Sequence, residues 1–410
     1  MPGVVATRDE LLPFVGPPFG LPLWGALARL QYPRAALLWS FLIALSFGLL
    51  TAGAVRLIAP SAGGVRYLAA LALGAGFGPL TSGMALGQVA VCACAATIAA
   101  QFALQRRNAL VAAGAASIAA LQPNLGIALA ARLPERRALI AFALAAAVAA
   151  GCSASALGSL EGLARYLSIV REHAAAEAGI AIQTTFAAVA VAFGSDPGLA
   201  GAIALAAAVA TLVALCTLFA TRRYGSLERF ALAGAALPLA LPFAHEHDFT
   251  IALFPALACA LRCSGTTWIV AAFASIGVAV DWLGLAQRPG GATQSWCLAG
   301  VAALALAALG PAELGARRFW PLALLPLVVL AGAIAAAHPA PVWPDALPPN
   351  FQAPHELSNA QVWRSEQLEA GLGKRDAVWG ALRLCSLLGC AALWAAAARG
   401  LRAPGAERPR

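Results

Sequence analysis

LERFALAGAALPLALPFAHEHDFTIALFPALACAL, residues 227–261, sets a short charged cluster between two long apolar runs. Two apolar runs, Leu227–Phe243 and Phe249–Leu261, flank four consecutive ionisable residues, His245, Glu246, His247 and Asp248, which hold two of the five histidines. The runs are rich in Ala and Leu and do not alternate with polar residues, so they read as helices and not as barrel strands. Crossing a hydrocarbon core of ~30 Å takes about 20 mostly apolar helical residues, and runs of that kind recur from Ala35 to Arg399.

Composition agrees. The chain is 61% hydrophobic and only 11% charged, with a mean hydropathy of +0.79. A soluble domain carries about a quarter charged residues. The expected fold class is all-α, a polytopic membrane bundle of about 11 spans. They are placed near Ala35–Val55, Tyr67–Gly78, Gly87–Leu104, Leu139–Leu157, Leu199–Ala220, Leu227–Phe243, Phe249–Leu261, Thr267–Leu285, Ser295–Leu309, Phe319–Ala337 and Val378–Ala398.

Residues 108–133 form a further apolar stretch, broken by Gln122-Pro123-Asn124 and flanked by Arg106-Arg107 and Arg136-Arg137. Basic flanks on both sides predict a helical hairpin that returns to its side of entry. Proline lacks an N–H and disfavours helix in the residue before it, which puts the turn at Pro123. The doublets Arg222-Arg223 and Arg317-Arg318, with Arg56, Arg66 and the tail after Arg399, then share one face. The positive-inside rule makes that face cytoplasmic and puts the C-terminus there, in a plasma (inner) membrane. The net charge of +9 reports insertion; nucleic acid is a poor partner, because the arginines are scattered over loops.

The domain reading follows from this topology. Residues 1–33 are an extracytoplasmic loop remnant, 34–337 the membrane domain with an outer loop at 158–197, and 338–376 a second outer loop. Residues 377–398 form the last span and 399–410 a cytoplasmic tail. The first loop carries the mixed-charge stretch Glu161–Glu177 and the weakly apolar Ile182–Phe193, read as interfacial or re-entrant. The second is proline-rich and contains Trp343 and Trp363, suited to a cap at headgroup level or to a structured loop without chemistry. Met1–Pro33 is not a signal peptide, and by the topology it starts outside the membrane, which leads to the expectation of a missing upstream helix.

Nine cysteines lie mostly in apolar runs without a CxxC, and no phosphate loop ending in GK[ST] occurs, so zinc, disulfide-framework and nucleotide-phosphate readings fall away. The ionisable tetrad has too few ligands nearby for a metal. Its readings are a helix N-cap at Asp248 with loop histidines beside it, or a polar site at a membrane surface. Gln88, Gln122 and Asn124 sit near the outer ends of apolar segments. An unpaired amide there costs several kcal/mol, so each needs a partner, whether a neighbouring helix or a ligand.

Pro17-Pro18-Phe19, Leu27-Ala28-Arg29-Leu30-Gln31-Tyr32, Gly87-Gln88, Ala113-Gly114 leading into Gln122-Pro123-Asn124, and Pro242 to Asp248 followed by Pro255 resemble family 87 of the GT-C class, the polyprenol-phosphate-sugar-dependent mannosyltransferases. The resemblance runs from about Leu12 to Arg262. It implies a GT-C-like bundle that moves a sugar, mannose in the relatives, from a polyprenyl-phosphate donor to a lipid- or glycan-linked acceptor, by inverting transfer at the extracytoplasmic surface. Such a reaction needs a proton acceptor for the attacking hydroxyl, donors or cations on the departing phosphate and an apolar groove for the prenyl chain. Beyond the donor and membrane lipids no cofactor is implied, and a metal is optional.

The resemblance places a catalytic aspartate in the loop after the first span, where this chain retains only Asp9 and Glu10 ahead of Pro17. Where relatives often carry Lys-Pro it has Gln122-Pro123, so either a histidine or arginine from elsewhere compensates at the phosphate or the donor is held less tightly. The expected catalytic residues are Asp9, His247 and Asp248; the expected substrate contacts are Gln88, Gln122, Asn124, His245 and Glu246. Two other readings stay open. A flippase or transporter would also show broken helices, though internal repeats are not visible. A truncated, inactive relative would fit the missing first loop.

Overall fold

The structure is a computed structural model describing residues 15–177, 180, 183–222, 224–280, 291–338, 340 and 346–401. Among these residues every regular element is a helix. In chain order they are α1 (Leu21–Ala28), α2 (Tyr32–Ile58), α3 (Gly64–Ala75), α4 (Gly78–Ala85), α5 (Val89–Gln105), α6 (Ala109–Ala119), α7 (Arg136–Leu157) and α8 (Leu160–Glu177). There follow α9 (Phe186–Ala192), α10 (Pro197–Thr221), α11 (Ser226–Ala240), α12 (Leu253–Arg262), α13 (Gly265–Ala279), α14 (Gly291–Leu309), α15 (Ala312–Ala337), α16 (Asn359–Glu369) and α17 (Ala377–Gly400).

Five helices, α2, α7, α10, α15 and α17, are long and apolar enough to cross a membrane, at 22 to 27 residues each. At 1.5 Å per residue the shortest spans ~33 Å. Each coincides with a span expected from sequence. Leu205, Leu212 and Val213 on α10 are exposed, as side chains facing lipid are.

The other expected spans take different forms. Tyr67–Gly78 falls on α3, which continues into α4 through a 66° bend, and the pair together is apolar enough for a sixth span. Pro79 starts the second half, and Gly76 lies where a Cβ would come within 2.6 Å of the backbone at Leu298 and Ala302. From Glu246 the tetrad is itself part of a 3-10 turn, Glu246–Ala252, which runs into the ten residues of α12. Expected as a separate span from Phe249, this segment is instead continuous with the ionisable residues and buried throughout the turn. Its surroundings make the core: Phe230 of α11 packs edge-on against Phe254, and Trp268 of α13 is fully buried.

The hairpin forms as the arginine flanks and Pro123 suggest. Asn108 caps α6 by accepting the Val111 N–H at 3.0 Å. The chain turns at Gln122, makes the short helix Pro123–Gly126 and returns through a 3-10 segment to Arg132. Gly126 permits the turn, since a Cβ there would lie 2.8 Å from the Ala119 carbonyl oxygen. At the returning end Arg132, nearly buried, bonds Gln101 of α5 and Glu135, and Glu135 accepts from Ser226 Oγ at 2.6 Å. Arg132 therefore lies with the end of α5, where Arg56, Arg106 and Asn108 line one pocket, and Gln122 lies at the turn end of the hairpin.

At that other end lie the segments read as outer loops, and both contain helix. Gly158, with φ +70°, stops α7 and lets α8 fold across the bundle end. Among the described residues of the apolar Ile182–Phe193 stretch the helix is α9, seven residues capped by Thr185 and too short to cross a membrane. α8 packs on α16, whose Ser358 and Gln361 close a capping box. Residues 15–33, expected as loop, include α1.

Candidate active site

A cavity of about 680 Å³ opens at the turn end of the hairpin, beside Gln122, Pro123 and Asn124. Every expected site residue within the described part of the chain lines it: Gln88, Gln122, Asn124, His245, Glu246, His247 and Asp248. Asp9 lies outside the described residues; Val15, Gly16 and Pro17, the first described ones, also line the wall.

Helix ends bring these side chains together. Gln88 immediately precedes α5 in extended backbone, and Gln122 precedes Pro123 in the hairpin turn. The tetrad enters its 3-10 turn with His245 as the N-cap residue. Asp248 is therefore not the N-cap; it is the third residue of the turn, and its Oδ2 accepts the His245 N–H at 2.9 Å. Its Oδ1 accepts from Gln122 Nε2 at 3.0 Å, across 126 residues of sequence. The amide partner that Gln122 requires is thus the carboxylate, and each Asp248 oxygen retains a lone pair.

His247 is buried, and that burial lowers its imidazole to about 4 despite the opposing pull of Asp248; His245 adds to the lowering. At neutral pH it is a neutral imidazole, not the cation that a phosphate contact would use. Its Nδ1 has no partner among the described residues. His245 stacks on it, ring centroids 5.4 Å apart. Glu246, also buried, has Arg383 of α17 as an electrostatic partner.

The structure adds a wall that sequence reasoning did not assign. Tyr166, Val170 and His173 of α8 and Trp363 and Gln367 of α16 line the cavity. Tyr166 donates its hydroxyl to the Gly16 carbonyl at 3.0 Å, tying α8 to the N-terminal segment. Behind this wall Glu177 is almost fully buried and accepts from Gln183 Nε2 at 2.7 Å and Trp363 Nε1 at 3.1 Å, with His173 Nε2 at 3.2 Å and His245 Nε2 at 3.7 Å. Burial alone would raise its carboxyl, but the His173 bond, the two imidazole charges and Gln183 bring it below the ordinary carboxylate value. The i, i+4 spacing of His173 and Glu177 inside the mixed-charge stretch was the available signal.

The cavity thus combines an oriented carboxylate, a neutral imidazole, amide donors and an apolar rim from Leu86, Leu121, Leu241 and Phe243. That set can take a proton from a hydroxyl and hydrogen-bond a polar headgroup beside a hydrocarbon chain. No group of three or more His, Cys, Asp or Glu side chains among the described residues is arranged to hold a metal ion.

Searches of curated proteins and of solved structures returned no match. Residues 14–243 match the family described as Glycosyltransferase family 87. The matched stretch runs through α1 to α11, carries Gln88, Gln122 and Asn124, and ends two residues before His245. It covers more than half of the 410 residues, and the chain therefore belongs to glycosyltransferase family 87, as a membrane glycosyltransferase.

Proposed function

We propose that this enzyme transfers a sugar, mannose as the first candidate, from a polyprenyl-phosphate donor to a lipid- or glycan-linked acceptor on the extracytoplasmic face of the plasma membrane. The observation that supports this reading most is the hydrogen bond between Gln122 and Asp248, which joins the hairpin turn to the tetrad at one cavity. An acceptor hydroxyl attacks the anomeric carbon, the bond from that carbon to the phosphate oxygen breaks, and polyprenyl phosphate departs with inversion. Asp248 receives the hydroxyl proton, its carboxylate aimed by Gln122 and the His245 N–H. His247, as a neutral imidazole, contacts the acceptor. Gln88 and Asn124 bond the sugar, and the Leu86, Leu121 and Leu241 rim takes the first prenyl units.

Asp9 is a second proton acceptor under this proposal. It lies six positions before Val15, a reach of ~20 Å at full extension. Incubating the purified protein with labelled polyprenyl-phosphate mannose and a panel of acceptors tests the enzyme. Transfer that is abolished by Asp248→Asn and retained by Asp9→Asn supports Asp248 as the base; the reverse pattern gives that role to Asp9. Absence of transfer from any polyprenyl-phosphate sugar would remove the donor class.

A further inference from the structure

A second cleft, of about 520 Å³, lies between α2 and α5 at the base of the hairpin, away from the catalytic cavity. The two helices run parallel: Trp39 Nε1 donates to the Gly87 carbonyl at 2.8 Å just before α5, and further along Ser46 Oγ lies 3.4 Å from Cys92 Sγ. Arg56 near the end of α2 and Arg106 just after α5 therefore meet at one end of the cleft, with Asn108 beside them. Leu49 stands seven positions before Arg56 and Ala99 seven before Arg106, about 10 Å of helix in each case. Ala99, Phe102, Ala103 and Arg106 follow at helical spacing on one stripe of α5, and the two alanines leave the room that the cleft occupies. Leu49 opens a π-helical segment, Leu49–Gly53, a local widening that recurs at functional sites. The cleft is thus apolar along its length and cationic at its end, and among the described residues that line it none is acidic.

The cationic end is held by the backbone. The Arg107 N–H bonds the Leu104 carbonyl at 3.0 Å and the Asn108 N–H bonds the Ala103 carbonyl at 2.8 Å, a Schellman turn with Arg107 at φ +60°, where glycine is usual. Asn108 commits its Oδ1 to the Val111 N–H, so what its amide offers the cleft is a donor. Arg56 spends one of its five N–H donors on the Pro60 carbonyl, at 2.6 Å.

We propose that this cleft binds one anionic phospholipid of the surrounding bilayer, its phosphate between Arg56, Arg106 and Asn108 and an acyl chain along Leu49, Phe102 and Val111. Charge and shape choose the occupant: guanidinium groups fork onto phosphate oxygens, and the apolar groove leading away from them suits a hydrocarbon chain. Basic clefts between spanning helices take lipid headgroups in this way, and the positive-inside rule predicts a cytoplasmic side for this end. The site lies at the far end of the hairpin from Gln122 and is independent of the donor reading. Because Asn108 starts α6, a lipid held there ties the base of the hairpin to α2.

Native mass spectrometry of the delipidated full chain in neutral detergent tests the site, with phosphatidylglycerol, phosphatidylcholine of the same acyl chains, and glycerol 3-phosphate as probes. Wild type should bind one phosphatidylglycerol about tenfold more tightly than phosphatidylcholine, and glycerol 3-phosphate should not displace it. Arg56→Gln combined with Arg106→Gln should abolish that preference. Arg66→Gln combined with Arg107→Gln, which removes the same charge from exposed arginines outside the cleft, should keep it. Ala99→Leu, which fills the apolar part and leaves both arginines in place, should weaken phosphatidylglycerol binding as well. Equal loss in the two double variants would overturn the site in favour of diffuse surface charge, as would equal affinity of wild type for the two lipids. Displacement by glycerol 3-phosphate, or an Ala99→Leu protein that binds like wild type, would overturn the lipid as ligand.

Discussion

Burial drives the His247 imidazole down to about 4, and acid stability must register it. Unfolded, the same group takes up its proton near 6.5. The unfolded state therefore binds more protons between these values, and stability from this group, fully present above about 6.5, is lost as pH falls toward 4. The contribution is on the order of 3 kcal/mol at most. The melting temperature of wild type should fall more steeply over that window than that of His247→Gln; parallel curves would show that His247 is not held neutral. His247→Ala should also abolish transfer with membrane insertion intact, measured by product formation against the amount of detergent-extracted protein. Gln122→Lys should lower turnover more than tenfold, because an ammonium on Asp248 stabilises the carboxylate against accepting a proton. A faster Gln122→Lys enzyme would show that this position serves the phosphate instead.

Among the elements, the hairpin and the turn Glu246–Ala252 set the geometry of the site. Pro123 and the arginine flanks made the hairpin legible in the sequence, but the glycine that closes it was not. At Gly126 a Cβ would press on the Ala119 carbonyl oxygen and carbon, both backbone atoms that can move only if the hairpin opens. Gly126→Val should therefore draw Gln122 away from Asp248 and cut transfer by at least tenfold, with overpacking costing about 1–3 kcal/mol of stability. A measured rate near wild type would mean that the hairpin end is free to adjust. The 3-10 turn was hidden for a different reason. Its apolar residues Phe249, Ile251 and Ala252 look like the start of a span, and only the packing of α4, α5 and α11 around them makes the turn a buried part of the core.

For the whole molecule, the Arg106 end of the hairpin and its turn end at the cavity are opposite, and the positive-inside rule predicts a cytoplasmic side for the first. A membrane-impermeant maleimide should label Glu161→Cys in intact cells and Arg106→Cys only after permeabilisation, both positions being exposed. The opposite pattern would invert the proposed face of catalysis. The helical membrane class, five of the spans, the hairpin and the polar residues that line one side of the cavity were legible in the sequence, because lipid demands long apolar helices and makes every polar interruption conspicuous. Which interruptions meet emerges from the packing of the helices. The bond between Gln122 and Asp248 joins residues 126 apart, and Glu177 draws α8, α16 and the tetrad to one carboxylate. α8 and α16 are ordinary amphipathic segments when read alone; they become cavity walls because buried polar groups must find partners, and those partners lie on elements that local sequence does not connect.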